Sequence, residues 1–397
     1  MLVKHFRHRD HFYKFLKETL GIFFKEAEER AFEGVFHCIY TVYNGPSELL
    51  FLSARKSGVH LFSKDNKYVL CGSEANLRKF CSELAKYSQT KTLAREIVES
   101  LMRYRKESFR LQYRGKILPL GLKTVIMGIL NVTPDSFSND GYYKNPDTAL
   151  KRAVQMKEEG AEIIDIGGES TRPDSQRISA KEELSRVLPV LKAVRRELPH
   201  VWISVDTYKS EVAKICLEEG ADIVNDISGG TFDEKMFNTV SSYKCPYVLT
   251  HIKGRPETWK KQPLIYDDVV GDIIRWFEER IKILQKEGYN TDENLILDPG
   301  IGFGKTPEQN VEILNRFEEF KKLGKPLLVG VSRKSFIGVI LEEFLNKKTA
   351  PKERLAGSLG ALAPAVLGGA KIVRVHDVKE TREFLAVLDA VRTYNGF

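Results

Sequence analysis

The chain has 397 residues, of which 42% are apolar and 29% charged, with a mean hydropathy of −0.30. More than one water-soluble domain is expected, and no apolar run approaches the roughly 20 residues that cross a bilayer. The net charge is +8, and all of the excess lies early: residues 1–114 hold 21 Lys/Arg and 13 Asp/Glu, the remainder 41 of each. A basic face suits solvent, an acidic surface or nucleic acid, but no nucleic-acid motif accompanies it, so nucleic acid is not an expected partner. The five cysteines (Cys38, Cys71, Cys81, Cys216 and Cys245) contain no C-x-x-C pair. This argues against a disulfide framework or a zinc site. The N-terminal MLVKHFRHRDHFYK has charges where a signal peptide is apolar, so a cytoplasmic location is expected.

Residues 1–112 read as a small basic α+β domain, and 113–397 as a second domain. His5 to Val35 reads helical, with Phe12, Phe15, Leu16, Ile22, Phe23 and Ala27 as its apolar set. Phe36–Tyr43 and Leu49–Leu52 read as strands, and Val59–Phe62 with Tyr68–Leu70 as a hairpin. Ser73 can cap a helix over Glu74–Tyr87, and a further helix covers Thr92–Arg105. His5, His8 and His11 recur at three-residue spacing, which a solvated helix face explains.

From Lys116 the pattern alternates between buried strands and amphipathic helices. Eight strands are expected: Val125–Leu130, Glu162–Ile166, Val201–Val205, Asp222–Asn225, Pro246–Thr250, Asn294–Leu297, Leu327–Val331 and Lys371–Val375. Helical patterns fall near 147–159, 180–196, 209–219, 232–241, 266–287, 307–322, 353–367 and 379–393. Eightfold alternation predicts a (β/α)8 TIM barrel. A doubly wound sheet competes, but no dinucleotide fingerprint follows the first strand. Gly160 and Gly220 each sit where a helix must turn into the next strand.

In such a barrel the carboxyl ends of the strands share one mouth. They carry Asn131, Asp165, Ser204, Asp206, Asn225, Asp226, His251, Asp298, Ser332, Lys334, Arg374, His376 and Asp377. Arginine offers a fork for phosphate or carboxylate, and Asp with Asn suits a nitrogen-rich ring. A pocket for a heterocycle beside one for an anion implies transfer from a phosphorylated substrate.

The motifs MGILNVTPDSFS (127–138), GGESTRP (167–173), SVDT (204–207), DPGIGFGK (298–305), SRKS (332–335) and RVHD (374–377) occur in order. Together they resemble the dihydropteroate synthase family over about 115–397. The resemblance implies condensation of 6-hydroxymethyl-7,8-dihydropterin diphosphate with 4-aminobenzoate, giving 7,8-dihydropteroate and diphosphate, with Mg²⁺ as cofactor. It implies pterin binding by Asp206, Asn225, Asp298 and Lys334. Asn131, Arg374 and His376 would hold the diphosphate, with Asn131 as the metal ligand. Thr171, Arg172, Pro173, Phe303 and Ser335 would contact 4-aminobenzoate, and Asp135 and Phe137 would close over the reacting centre. A homodimer through barrel helices is also implied.

The sequence departs from the family pattern at Asn139–Asp140, at Asp174 and at Ile252, and none of these removes a charged group of the site. A pterin-dependent methyltransferase is the nearest rival enzyme, yet it has no need of SRKS and RVHD together. A non-catalytic barrel is the rival of another class, and it would not need Asn131, Lys334, Arg374 and His376 together.

Overall fold

The structure is a computed structural model that describes residues 2–5, 16–17, 19–20, 37–121, 123–133, 145–170, 177–256, 259 and 265–393. It divides into two units, one of Met1–Lys106 with Glu318–Gly324 and one of Glu107–Phe317 with Lys325–Phe397.

In the first unit, β1 (Leu2–His5), β2 (His37–Val42), β3 (His60–Lys64) and β4 (Lys67–Gly72) form an antiparallel sheet in the order β1-β2-β4-β3. Among the fully described elements three helices accompany it: α1 (Ser47–Ser57), α2 (Glu74–Leu84) and α3 (Lys91–Arg105). The alternation along the strands gives the sheet two apolar faces. Ile39 and Leu70 join the cluster built with Leu77, Phe80, Leu84 and Ile97 of the helices. Cys38, Val69 and Cys71 pack instead with Leu16 and Leu20. Ser73 caps α2 by accepting from Asn76 N–H at 3.2 Å.

Two expectations fail here. Leu49–Leu52 is helical, within α1, because only Leu50 of that run is buried and it pairs with Ser53, Ala54 and Ser57 at helical spacing. Phe51 and Leu52 are exposed, so the apolar run is not a strand face. His5 ends a strand rather than opening a helix. Residues 16–17 and 19–20 are helical, and the rest of 6–35, with His8 and His11, lies outside the described residues.

The second unit opens with a hairpin, β5 (Phe109–Tyr113) and β6 (Lys116–Leu120), which the sequence reading had divided at 112. Eight parallel strands then close into a barrel: β7 (Val125–Asn131), β8 (Ile163–Gly167), β9 (Trp202–Asp206), β10 (Ile223–Asp226), β11 (Tyr247–Thr250), β12 (Leu295–Asp298), β13 (Leu327–Val329) and β14 (Ala370–Val375). The strands are buried almost throughout, as a parallel sheet covered by helices requires. The helices are α4 (Pro146–Glu159), α5 (Ala180–Glu197), α6 (Ser210–Glu218), α7 (Met236–Tyr243), α8 (Val269–Lys286), α9 (Pro307–Asn315), α10 (Ser335–Leu345), α11 (Leu355–Leu367) and α12 (Val378–Thr393). Gly160 and Gly220 do turn the chain at positive φ, 111° and 110°.

The two ends of the barrel differ in chemistry. At the amino end the polar groups pair among themselves. Asp222 accepts from Lys116 Nζ at 2.7 Å and Arg195 Nη2 at 2.6 Å, and Asn294 exchanges two 2.9 Å bonds with the backbone of Gln112. Those contacts stabilise the barrel. The carboxyl end keeps polar groups without such complete pairing.

Candidate active site

The register aligns the site. Asn131 lies opposite Gly167, Gly167 opposite Asp206, and Asp206 opposite Asn225. Three polar strand-end residues therefore share one row of the barrel around a glycine. Asn131 Oδ1 and the Asp206 carboxylate flank that glycine, 3.4 and 3.6 Å from where a side chain on Gly167 would begin.

Arg374, on β14, crosses to this row. Its Nε donates to Asp165 Oδ2 at 2.6 Å and its Nη2 to Asp206 Oδ2 at 2.6 Å. Asn225 Nδ2 donates to the same Asp165 oxygen at 3.1 Å. Burial alone would depress the arginine, but the Asp165 and Asp206 carboxylates raise it, so it stays charged. Burial pushes the Asp206 carboxyl up to about 7 against the pull of Arg374, and Asp165, Glu183 and Asp226 push the same way.

Asp298 ends β12. Its Oδ1 accepts from Gly300 N–H at 2.8 Å, and burial raises its carboxyl despite Lys334, Lys305 and Arg374. Lys334 stands at the N-cap of α10, half-buried. Its ammonium donates to the Ile301 carbonyl and lies 4.2 Å from the centre of the Phe303 ring. Burial lowers Lys334 to about 8, even with Asp298 near. Lys305 threads back under the 299–304 loop and donates to Gly300 O at 2.8 Å and Phe303 O at 3.1 Å. It also meets His251 Nδ1 at 3.0 Å, and burial lowers both groups.

The SRKS turn is held from behind. Arg333 has φ of 60°, a costly backbone for a residue with a side chain. Ser358 Oγ accepts its N–H at 2.9 Å, Arg354 donates to its carbonyl at 3.1 Å, and its Nε donates to Asp377 at 3.1 Å. Ser332 Oγ lies 3.0 Å from His376 Nδ1, joining SRKS to RVHD. Ser335 opens α10 and is exposed.

The structure thus brings Asn131, Asp206, Asn225, Asp298, Lys334, Arg374 and His376 to the strand ends of one barrel, with Phe303 against Lys334. Asp135, Phe137, Thr171, Arg172 and Pro173 lie outside the described residues. Asp165 and Asp377 stand among the polar strand ends, and Lys305 and Arg333 lie in the DPGIGFGK and SRKS motifs, but the sequence assigns none of these four supporting groups a role. Asp165 sits inside an apolar run, IIDIG, and that was the signal available for it.

A family model described as "Pterin binding enzyme" matches residues 127–376. A dihydropteroate synthase from Synechocystis is 46% identical over 271 residues, covering 68% of this chain and 91% of the relative. The chain belongs to the dihydropteroate synthase family. A Yersinia pestis dihydropteroate synthase, solved with a sulfonamide drug, superposes with a TM-score of 0.67 at 40% identity over 72% of this chain and all of that one. A Xanthomonas albilineans dihydropteroate synthase, solved with 4-aminobenzoic acid, gives 0.65 at 38% identity over 72% and 99%. As a dihydropteroate synthase, the chain is a transferase of folate biosynthesis: it joins the pterinylmethyl group to 4-aminobenzoate and releases diphosphate. Residues 1–126 lie outside the family match.

Proposed function

We propose that the condensation takes place among Asn131, Asp206, Asn225, Asp298, Lys334, Arg374 and His376. The observation that carries this reading is the Arg374 fork, two of whose nitrogens are held by buried carboxylates while Nη1 makes no hydrogen bond to a described residue. A guanidinium oriented in this way is prepared for an anion. Asp298, with Oδ1 committed to Gly300, offers Oδ2 to a ring N–H, and Asn225, Asp206 and Lys334 supply the remaining ring contacts. Negative charge of Asp298 beside the ring favours an electron-deficient exocyclic carbon, while Arg374 and His376 face the departing diphosphate. The arylamine of 4-aminobenzoate is largely unprotonated at neutral pH, so it attacks without a strong general base. Thr171, Arg172, Pro173, Phe303 and Ser335 keep the contacts with 4-aminobenzoate, and Asp135 and Phe137 the closure over the reacting centre, that the family resemblance implies.

The donor set fits Mg²⁺. Among the described residues no group of three or more His, Cys, Asp or Glu side chains could cage a metal. A magnesium ion needs no such cage, since it binds through one or two protein oxygens together with substrate phosphates. Asn131 Oδ1, beside Gly167 and Asp206, is such an oxygen. When bound, Mg²⁺ supplies a Lewis acid for the charge that develops on diphosphate.

The test is diphosphate release measured alongside dihydropteroate. Lys334→Ala and Arg374→Ala should each lower kcat/KM for the pterin diphosphate on the order of 100-fold. Chelation should abolish turnover, and added Mg²⁺ should restore it. Undiminished turnover in either variant would remove that residue from the mechanism.

The proposal extends to assembly and location. Val339, Phe344 and Leu345 of α10, Leu367 of α11, and Val387 and Val391 of α12 are exposed apolar residues on three successive helices. Such a surface supports a homodimer. Phe344→Glu with Val391→Glu should halve the mass seen by sedimentation, whereas an unchanged mass would exclude this face. All five cysteines are free and buried, which supports a reducing, cytoplasmic compartment.

A further inference from the structure

Asp165 occupies the middle of β8, opposite Ser204 and one layer deeper than the row of Asn131, Asp206 and Asn225. In barrels of this kind that depth is filled by branched apolar side chains. A fully buried carboxylate there is costly unless it is paired. The pairing falls on one atom: Asp165 Oδ2 accepts from both Arg374 Nε and Asn225 Nδ2. The other oxygen, Oδ1, is buried and has no hydrogen-bond partner among the described residues, and the same holds for Ser204 Oγ across the register.

The sharing has two consequences. The two ends of the Asn225 amide have nearly the same shape, and only hydrogen bonds distinguish them. With Nδ2 committed to Asp165, Oδ1 is the end left to accept from a ring. Arg374 is likewise fixed about its long side chain. Asp165 holds the Nε edge and Asp206 holds Nη2, so the direction of Nη1 is set. Without the Asp165 carboxylate, Asp206 alone among the described carboxylates would direct the guanidinium, and the amide would be free to turn over.

We propose that Asp165 is a positioning residue that couples the two halves of the site, orienting Asn225 toward the heterocycle and Arg374 toward the anion through one carboxylate oxygen. The proposal rests on the roles given to Asn225 and Arg374 above. It predicts that the loss of Asp165 is felt at both ends of the pterin diphosphate but not at the second substrate.

The experiment uses the full chain carrying Asp165→Asn, which keeps the shape and removes the charge. Titration calorimetry with 6-hydroxymethyl-7,8-dihydropterin, and separately with inorganic diphosphate and Mg²⁺, reads the two ends. Both affinities should fall, and kcat/KM for the pterin diphosphate should drop on the order of 100-fold. KM for 4-aminobenzoate should stay unchanged. Because Asp165 acts through Asn225, Asp165→Asn should cost little further pterin affinity in an Asn225→Ala background. A folded Asp165→Asn protein with either affinity intact, or with strictly additive losses, overturns the coupling. Should that variant not fold, Asp165→Glu keeps the charge and displaces it by one methylene, and the same paired loss is expected. If Asn225→Ala by itself leaves pterin affinity intact, the assignment of the ring pocket fails, and the coupling fails with it.

Discussion

Asp206 and Lys334 are pushed by burial in opposite directions, the acid up to about 7 and the ammonium down to about 8. Each loses its charge near neutrality, and each charge has work in the site. Protonated Asp206 no longer draws Arg374 Nη2, and neutral Lys334 no longer balances Asp298. The kcat/KM for pterin diphosphate reports the free enzyme, so it should pass through a maximum between about 7 and 8, falling on either side as one proton is gained or lost. For stability the sign is separate. Because the Asp206 carboxyl is raised, its contribution to folding is fully present below its ordinary value of 3.8 and is lost as pH rises through about 7. Lys334→Arg keeps a cation at all these pH values. Its residual activity should retain the acid limb and lose the alkaline one, and an unchanged alkaline limb would assign that titration to another group. These residues were legible as a set of polar strand ends, Asp165 and Asp377 among them. Their pairings were not, because Asp165 is written into an apolar run and Asp377 meets Arg333 across 44 positions of sequence.

At the scale of elements, the eight strands were legible because a parallel strand covered on both sides is an uninterrupted apolar run, as in Val125–Leu130. Of the elements that were not legible, two share a related cause. Helix α10, SFIGVILEEFL, exposes Val339, Phe344 and Leu345 beside Ser335, Glu342 and Glu343, so apolar residues fall on every side and mask the helical period. Leu49–Leu52 reads as a strand because four apolar residues in a row hide a stripe that continues through Ser53 and Ala54. The 299–304 loop was legible as glycines but not as geometry. Gly300 has φ of 70°, and a Cβ there would lie 1.9 Å from the His251 carbonyl oxygen. Gly300→Ala therefore has to move the loop away from β11. It should cost at least about 2 kcal/mol of stability. Since Gly300 N–H is also the donor that orients Asp298, pterin affinity should fall more steeply than affinity for 4-aminobenzoate. Thermal unfolding and calorimetry measure the two effects, and a variant with unaltered melting and pterin affinity would show that the loop relaxes without strain.

For the whole molecule, the division of the chain separates charge from chemistry. The basic excess lies in residues 1–114, and every described site residue lies in the second unit. The first unit is nevertheless not a simple N-terminal appendage, because it includes Glu318–Gly324 from the middle of the barrel sequence. Within it, the Lys321 ammonium lies 4.9 Å from the centre of the Tyr104 ring, and Arg103 packs so close to Gly324 that a Cβ there would meet its side chain at 2.9 Å. Phe320 is fully buried. Removal of residues 1–106 would leave this segment without Arg103 and Tyr104. The Lys321 ammonium would then lose the Tyr104 ring, a contact of a kind that contributes about 0.5–1 kcal/mol, and Gly324 would lose the Arg103 side chain beside it. The shortened chain should still form dihydropteroate but melt at a lower temperature. Dihydropteroate formation and melting of the shortened protein decide the matter. A shortened protein that is folded and binds pterin yet forms no product would show instead that the basic unit takes part in the chemistry of the barrel.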